Sequence, residues 1–267
     1  MNRGIVTIAG NTARDVMRQG FFCLITGGGI ALLLCSLFFT LFAFGEESKM
    51  IQEMGLSTIT ICCLSLAALS ATNTISREIE KGTIMMLLSK PVDKRSVILG
   101  KFFGILAVVS SVFLAMGILL TGFLWIRESL HPSAGLRSSF ALTGHTTVVR
   151  LAFSFLSIAI MCAVATAFSV YLGMMSNLCC CMAIYILGNL TSFFHGLFPA
   201  TAIWTRWYLA FAFVFFPNLE DFNTIGMGSR GESLNSFFAP ALLLYAILYI
   251  TMVITLAIKF FNNKECR

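Results

Sequence analysis

The side chains best suited to chemistry in this sequence are three histidines, His131, His145 and His195, and nine cysteines. No pair of these histidines has the spacing of a metal site. Cys62 and Cys63 share one apolar run, and Cys179, Cys180 and Cys181 share another. Soft sulfur ligands, with 13 Met beside them, would suit Cu(I). Adjacent residues on a helix point in different directions, however, and His is scarce. The cysteines are therefore expected to pack as small hydrophobes, and no metal is expected. Neither a G-x-S-x-G elbow nor an H-E-x-x-H helix accompanies the many serines. Gly226, Gly228 and Gly231 spell G-x-G-x-x-G, but no strand precedes them. Asn189-Leu190-Thr191 matches a glycosylation acceptor, yet it lies inside an apolar run. No G-x-x-x-x-G-K-[ST] occurs, so the sequence offers no ATP site of its own, and no bound cofactor is expected.

The polar residues inside apolar runs are more telling, because hydrocarbon penalises them. Ser70, Thr72, Asn73 and Thr74 crowd the end of one run. Asn189, Thr191, Ser192 and His195 crowd another. Two readings fit: hydrogen bonds between helices, or the lining of a polar path.

The elements that carry these residues follow from composition. The chain has 267 residues, 58% hydrophobic and 11% charged, with a mean hydropathy of +0.89. Soluble domains carry about 25% charged residues. An all-α integral membrane protein is expected, and the net charge of +6 is read by its location rather than as a sign of nucleic-acid binding.

About 20 apolar residues cross a bilayer as a helix. Stretches without Asp, Glu, Lys or Arg run 19–45, 54–76, 102–126, 151–205 and 233–258. The fourth is long enough for two crossings around a turn at Gly173 to Asn177. The expectation is six spans, at about 21–44, 54–75, 97–126, 151–173, 178–199 and 236–259. Residues 1–20 read as an amphipathic interfacial helix, with Ile5, Ile8, Ala9, Ala13 and Val16 on one side. The run after it is too long for a cleaved signal peptide. Trp204 to Phe216 is apolar but too short to cross, and Pro217 stops it. With both termini inside, inner segments hold 12 of the 18 Lys and Arg, which favours a cytoplasmic location for the termini. Gly100 and Gly104 form a G-x-x-x-G, expected to pack within the monomer rather than at a dimer seam.

Charge is dense only at Ser76 to Lys101, SREIEKGTIMMLLSKPVDKRSVILGK. Thr74 or Ser76 is expected to cap a short helix with Glu78 and Glu80 in its first turn. Gly82 is the expected bend, Pro91 the end, and Asp93 the cap of the next span.

SREIEKGT followed by LLSKPVDKRSVILGKFFG resembles the first cytoplasmic loop of type-2 ATP-binding-cassette (ABC) transporter permeases. The branch is the six-span group of multicopper-enzyme-maturation, sodium-efflux and antibiotic-export permeases. The opening IVTIAGNTARDVMRQ and the later FFPNLEDFN are similar to the same family, so the resemblance covers nearly the whole chain. It implies a coupling helix within 76–95 that docks on a separate ATP-binding subunit through Arg77, Glu78, Glu80, Lys81, Gly82, Leu87, Leu88 and Pro91. ATP and Mg would reside in that subunit. It implies a second permease copy, with Thr72, Asn73, Asn189, Ser192 and His195 along the translocation path between copies. It also implies an outer re-entrant segment over 201–232, between spans five and six, with Trp204, Trp207, Phe216 and Pro217 at an outer gate. The function implied is the permease subunit of an ATP-driven exporter in the plasma membrane, without catalysis of its own. The alternative is a secondary transporter or a membrane-embedded assembly factor with no ATPase partner. The absence of Asp, Glu, Lys or Arg near the middle of any expected span speaks against ion-coupled transport.

Overall fold

The computed structural model describes residues 2–39, 47–80, 94–130, 137–190, 217–222 and 238–265. These residues are all helical or in short connections. The helices are α1 (Asn2–Met17), α2 (Gly20–Phe39), α3 (Glu47–Glu80), α4 (Lys94–Leu130), α5 (Arg137–Phe168), α6 (Met174–Asn189) and α7 (Phe238–Glu265). A 3-10 turn at Glu220–Phe222 lies between the last two.

Helix α3 is the axis of the bundle. It packs against α2, α4, α5 and α6, while α7 lies on α5. Its most apolar window is 67% buried against 28% for α7. The sequence accounts for this placement. Small residues, Ala67, Ala68, Ser70 and Ala71, occupy successive turns of α3 and are fully buried, so neighbouring backbones come close.

The expected six spans are not supported. Four helices among the described residues are long and apolar enough to cross a membrane: Met50–Ser76, Arg95–Ile126, Thr147–Phe168 and Pro240–Phe261. A fifth arises only if the bent pair Gly4–Met17 and Gly20–Ser36 counts as one span. The expected span at 178–199 meets α6, which is 16 residues long and ends at Asn189. At 1.5 Å per residue it reaches about 24 Å, short of a 30 Å hydrocarbon core. Counting the interval between charges measured polarity and was blind to where the helix breaks.

The re-entrant element is also placed differently from expectation. The bent pair is α1 and α2, which meet at 68°, and it is not between the fifth and sixth expected spans. Gln19 donates its amide to Val16 O at 3.1 Å, and Phe22 donates to Gln19 O at 3.0 Å, so the chain turns tightly at the bend. Within 201–232, residues 217–222 form a short irregular stretch and a 3-10 turn. Two smaller expectations change as well. No helix starts at Thr74 or Ser76, because α3 runs unbroken to Glu80 and the Thr74 hydroxyl donates back to Ser70 O at 2.7 Å. The turn between α5 and α6 comes earlier than 173–177, since α6 already begins at Met174 with Gly173 as its N-cap residue.

The apolar face of α1 is covered by protein. Gly100 and Gly104 of α4 form its seat. A Cβ on Gly104 would lie 2.7 Å from Ala9 O and 2.8 Å from Thr12 Cβ, and one on Gly100 would lie 2.8 Å from Ile8 Cγ2. The G-x-x-x-G thus serves contact within the monomer.

Candidate functional site

The polar residues expected to form a path divide into two groups, set at opposite ends of α6. At its start, Asn177 is fully buried. Its side-chain amide donates to Thr72 Oγ1 at 2.7 Å, to Ala68 O at 3.2 Å and to Ala165 O at 3.2 Å. The Cys181 thiol donates to Asn177 Oδ1 at 3.5 Å. One side chain thus joins α3, α5 and α6. Thr72 itself donates to Ala68 O at 2.9 Å and is 3% exposed, so it belongs to this interhelical tie. Asn73, one residue on, is half-buried.

At the other end of α6, the Asn189 amide donates to Tyr185 O at 2.9 Å. Asn189 lines a pocket of about 30 Å³ between α3, α5 and α6. Ser57 and Thr60 of α3, Ser154 and Ser157 of α5, and Tyr185 of α6 complete its polar wall. Leu56, Leu219 and Phe222 supply the apolar wall. The Thr60 hydroxyl donates to Leu56 O at 3.0 Å and Ser57 O at 2.9 Å, and Ser57 donates to Glu53 O at 2.7 Å. The Tyr185 hydroxyl reaches Thr60 Oγ1 only at 3.5 Å. The twelve residues from Asn177 to Asn189 separate the two groups by about 18 Å along the helix. Thr72 and Asn189 therefore do not meet.

Beside the pocket runs a line of exposure along α3. Glu53 and Ser57 are exposed, and Ser65, Asn73 and Ser76 are half-buried, all on the side away from the core. At 3.6 residues per turn they spread over about 200° of the helix surface, from Glu53 to Asn73. Burial of Gln52, Leu56, Ile59, Cys63, Ala67 and Ser70 marks the opposite face.

Pro217, expected at an outer gate, is buried and its backbone lies against α6. A Cβ on Gly188 would lie 2.6 Å from Pro217 O and 3.0 Å from Leu219 Cδ1. Leu219 donates its amide to Gly188 O at 3.1 Å, and Asn218 donates its amide to the Tyr245 hydroxyl at 3.1 Å. The segment is thus pinned between α6 and α7 and pushes Leu219 and Phe222 into the pocket wall. Trp204, Trp207, Phe216, Ser192 and His195 lie outside the described residues. So do Lys81, Gly82, Leu87, Leu88 and Pro91 of the expected docking set. Arg77, Glu78 and Glu80 fall in the last turn of α3.

Three features were missed by sequence reasoning. The sequence pattern places Asn177 at the end of a turn, although an amide four residues into an apolar helix is a signal of interhelical bonding. The pocket hydroxyls Thr60, Ser154, Ser157 and Tyr185 lie scattered over three helices, and nothing in one strand of text joins them. Lys101 was counted with the charged loop. It lies in the span Arg95–Ile126, is 6% exposed, and donates from Nζ to Thr74 O at 2.6 Å.

No group of three or more His, Cys, Asp or Glu among the described residues could hold a metal ion. Residues 7–266 match the family model described as ABC-2 family transporter protein. The chain belongs to this family. It is an ABC-2 permease by type, all-helical and multi-pass. No curated protein matches the chain.

Proposed function

We propose that the chain is the membrane-spanning permease subunit of an ATP-driven exporter, coupled to a separate ATP-binding subunit that holds ATP and Mg. One observation carries this reading beyond family membership. The most buried span, α3, bears polar residues along its exposed face and runs unbroken into the charged stretch after Ser76. Glu53 and Ser57 would be penalised against lipid. A second permease copy, or a partner permease, facing α3 would enclose them in a path. Asn73 and Asn189 would line it, while Thr72 would serve the bundle.

Arg77, Glu78, Glu80, Lys81, Gly82, Leu87, Leu88 and Pro91 would form or flank the docking surface. A continuous α3 carries displacement at Glu78 directly into the bundle, with no hinge between. The excess of Lys and Arg puts this end in the cytoplasm, together with both termini, in a plasma membrane. The chain would transmit force and catalyse nothing.

Lys101 favours a second reading, ion-coupled secondary transport, because a buried lysine in a span is the kind of group such carriers use. Its position argues for the first. It stands seven residues into α4, about 10 Å from the helix start, and braces α3 there. Purification of the tagged chain with its genomic neighbours tests the choice. A stoichiometric P-loop protein in the eluate supports the exporter; ion-driven flux by the chain alone supports the carrier.

A further inference from the structure

The pocket between α3, α5 and α6 carries an assignment of ligand class. We propose that it takes the neutral, hydroxyl-bearing polar group of a membrane-borne amphiphile. The proposal deepens the permease reading and rests on it for the ligand's role as cargo.

Size comes first. A void of about 30 Å³ holds roughly two waters, or one hydroxymethyl group, and not a whole molecule. It therefore recognises the polar end of something larger. Charge comes next. Among the described residues, the polar lining is Ser57, Thr60, Ser154, Ser157, Tyr185 and Asn189, with no Lys, Arg, Asp or Glu. An anion or a cation brought here would lose its hydration without a counter-charge. A neutral group would not.

Hydrogen-bonding capacity then selects among neutral groups. Thr60 gives its proton to backbone carbonyls of its own helix, which leaves an oxygen able to accept. The Tyr185 hydroxyl is held only at 3.5 Å, beyond the usual range for two hydroxyls, so its proton is loosely engaged. A ligand hydroxyl donates to one and accepts from the other. The apolar wall of Leu56, Leu219 and Phe222 suits the first carbons of an attached chain.

Location decides the source. Ser57, at the rim, is exposed on the outward face of α3. It stands seven residues from the Met50 end of that span, about 10 Å along the helix. A group there is reached from within the lipid layer rather than from bulk water.

The test is photo-crosslinking of the full chain in phosphatidylcholine nanodiscs. Three probes share one diazirine-bearing acyl chain: a monoacylglycerol, its methyl ester lacking hydroxyls, and the anionic phosphatidic acid. Labelled peptides are mapped by mass spectrometry. The monoacylglycerol should label 54–61 of α3 or 184–190 of α6 in excess of both others. Tyr185→Phe should lower that labelling about two- to tenfold, the range set by one hydrogen bond. Ser57→Ala, at the exposed rim where truncation opens no core cavity, is the second variant and should act in the same direction. Equal labelling by all three probes, or labelling untouched by both variants, would overturn the proposal. Displacement of the label by free glycerol would overturn the membrane source. If selective labelling holds but no P-loop partner is retained, the exporter reading fails and the pocket stands. If a partner is retained and labelling is unselective, the pocket assignment alone fails.

Discussion

Four glycines of α4 offer one chemical change in four surroundings. Adding a methyl group to an exposed or loosely packed helix position gains about 0.5–1 kcal/mol, because Gly loses more backbone entropy on folding than Ala does. At Gly122 nothing lies within 4 Å of the new carbon. At Gly117 it would meet Leu151 Cδ2 at 3.5 Å, ordinary contact. Both alanine variants should be as stable as the parent or more so, by about 0.5–1 kcal/mol. Gly104 differs. Its methyl would press on Ala9 O at 2.7 Å and on Ala9 Cα at 3.2 Å, both backbone atoms of α1 that no rotamer change can move. Relief to an ordinary carbon–oxygen contact needs a shift of roughly 0.6 Å. Overpacking of this kind costs about 1–3 kcal/mol, which outweighs the entropic gain. The entropic gain is common to both positions, so Gly104→Ala should fall below Gly122→Ala by about 1–3 kcal/mol. Unfolding of the purified variants in mild detergent, followed by circular dichroism, measures the order. Equal midpoints for Gly104→Ala and Gly122→Ala would refute the docking of α1 on α4.

Asn177→Leu keeps the branched shape and the number of side-chain heavy atoms, and removes the tie between α3, α5 and α6. It should lower stability by about 1–2 kcal/mol, typical of interhelical bonds in membranes, and a midpoint equal to the parent's in the same unfolding series would contradict the tie. Gly188→Ala should push Pro217 and Leu219 off α6, since the new carbon would stand 2.6 Å from a backbone oxygen. Faster hydrogen exchange at the Leu219 amide, now bonded to Gly188 O, is the expected readout, and unchanged exchange would contradict it.

Composition and pattern made part of this architecture readable. The 3.6-residue grouping of Ile5, Ile8, Ala13 and Val16 fixed which side of α1 is covered, and these residues do turn toward the bundle. The G-x-x-x-G at Gly100 is a local signal of close approach, and it met α1. Helix ends were harder to read. In apolar stretches the charge-free length says nothing about breaks, so the expected fifth span runs past Asn189, whereas the boundary expected between 1–20 and 21–44 falls at the bend near Gln19. Thr74 has the residue type of a cap, yet a hydroxyl in a buried helix satisfies itself on the preceding turn just as well. The pocket was legible only at Asn189. Its other members are single hydroxyls on three helices, and tertiary packing alone assembles them.

The central claim is that this ABC-2 permease takes its energy from a separate ATPase docked beyond the end of α3. The most direct test is tagged purification in mild detergent, after co-expression with the neighbouring genes, of the parent and of a Glu78→Lys, Glu80→Lys double variant. The account predicts a stoichiometric P-loop partner on the parent, lost from the variant while the variant still inserts and elutes as a folded species. A parent that purifies alone, or a partner retained equally by both, would contradict it.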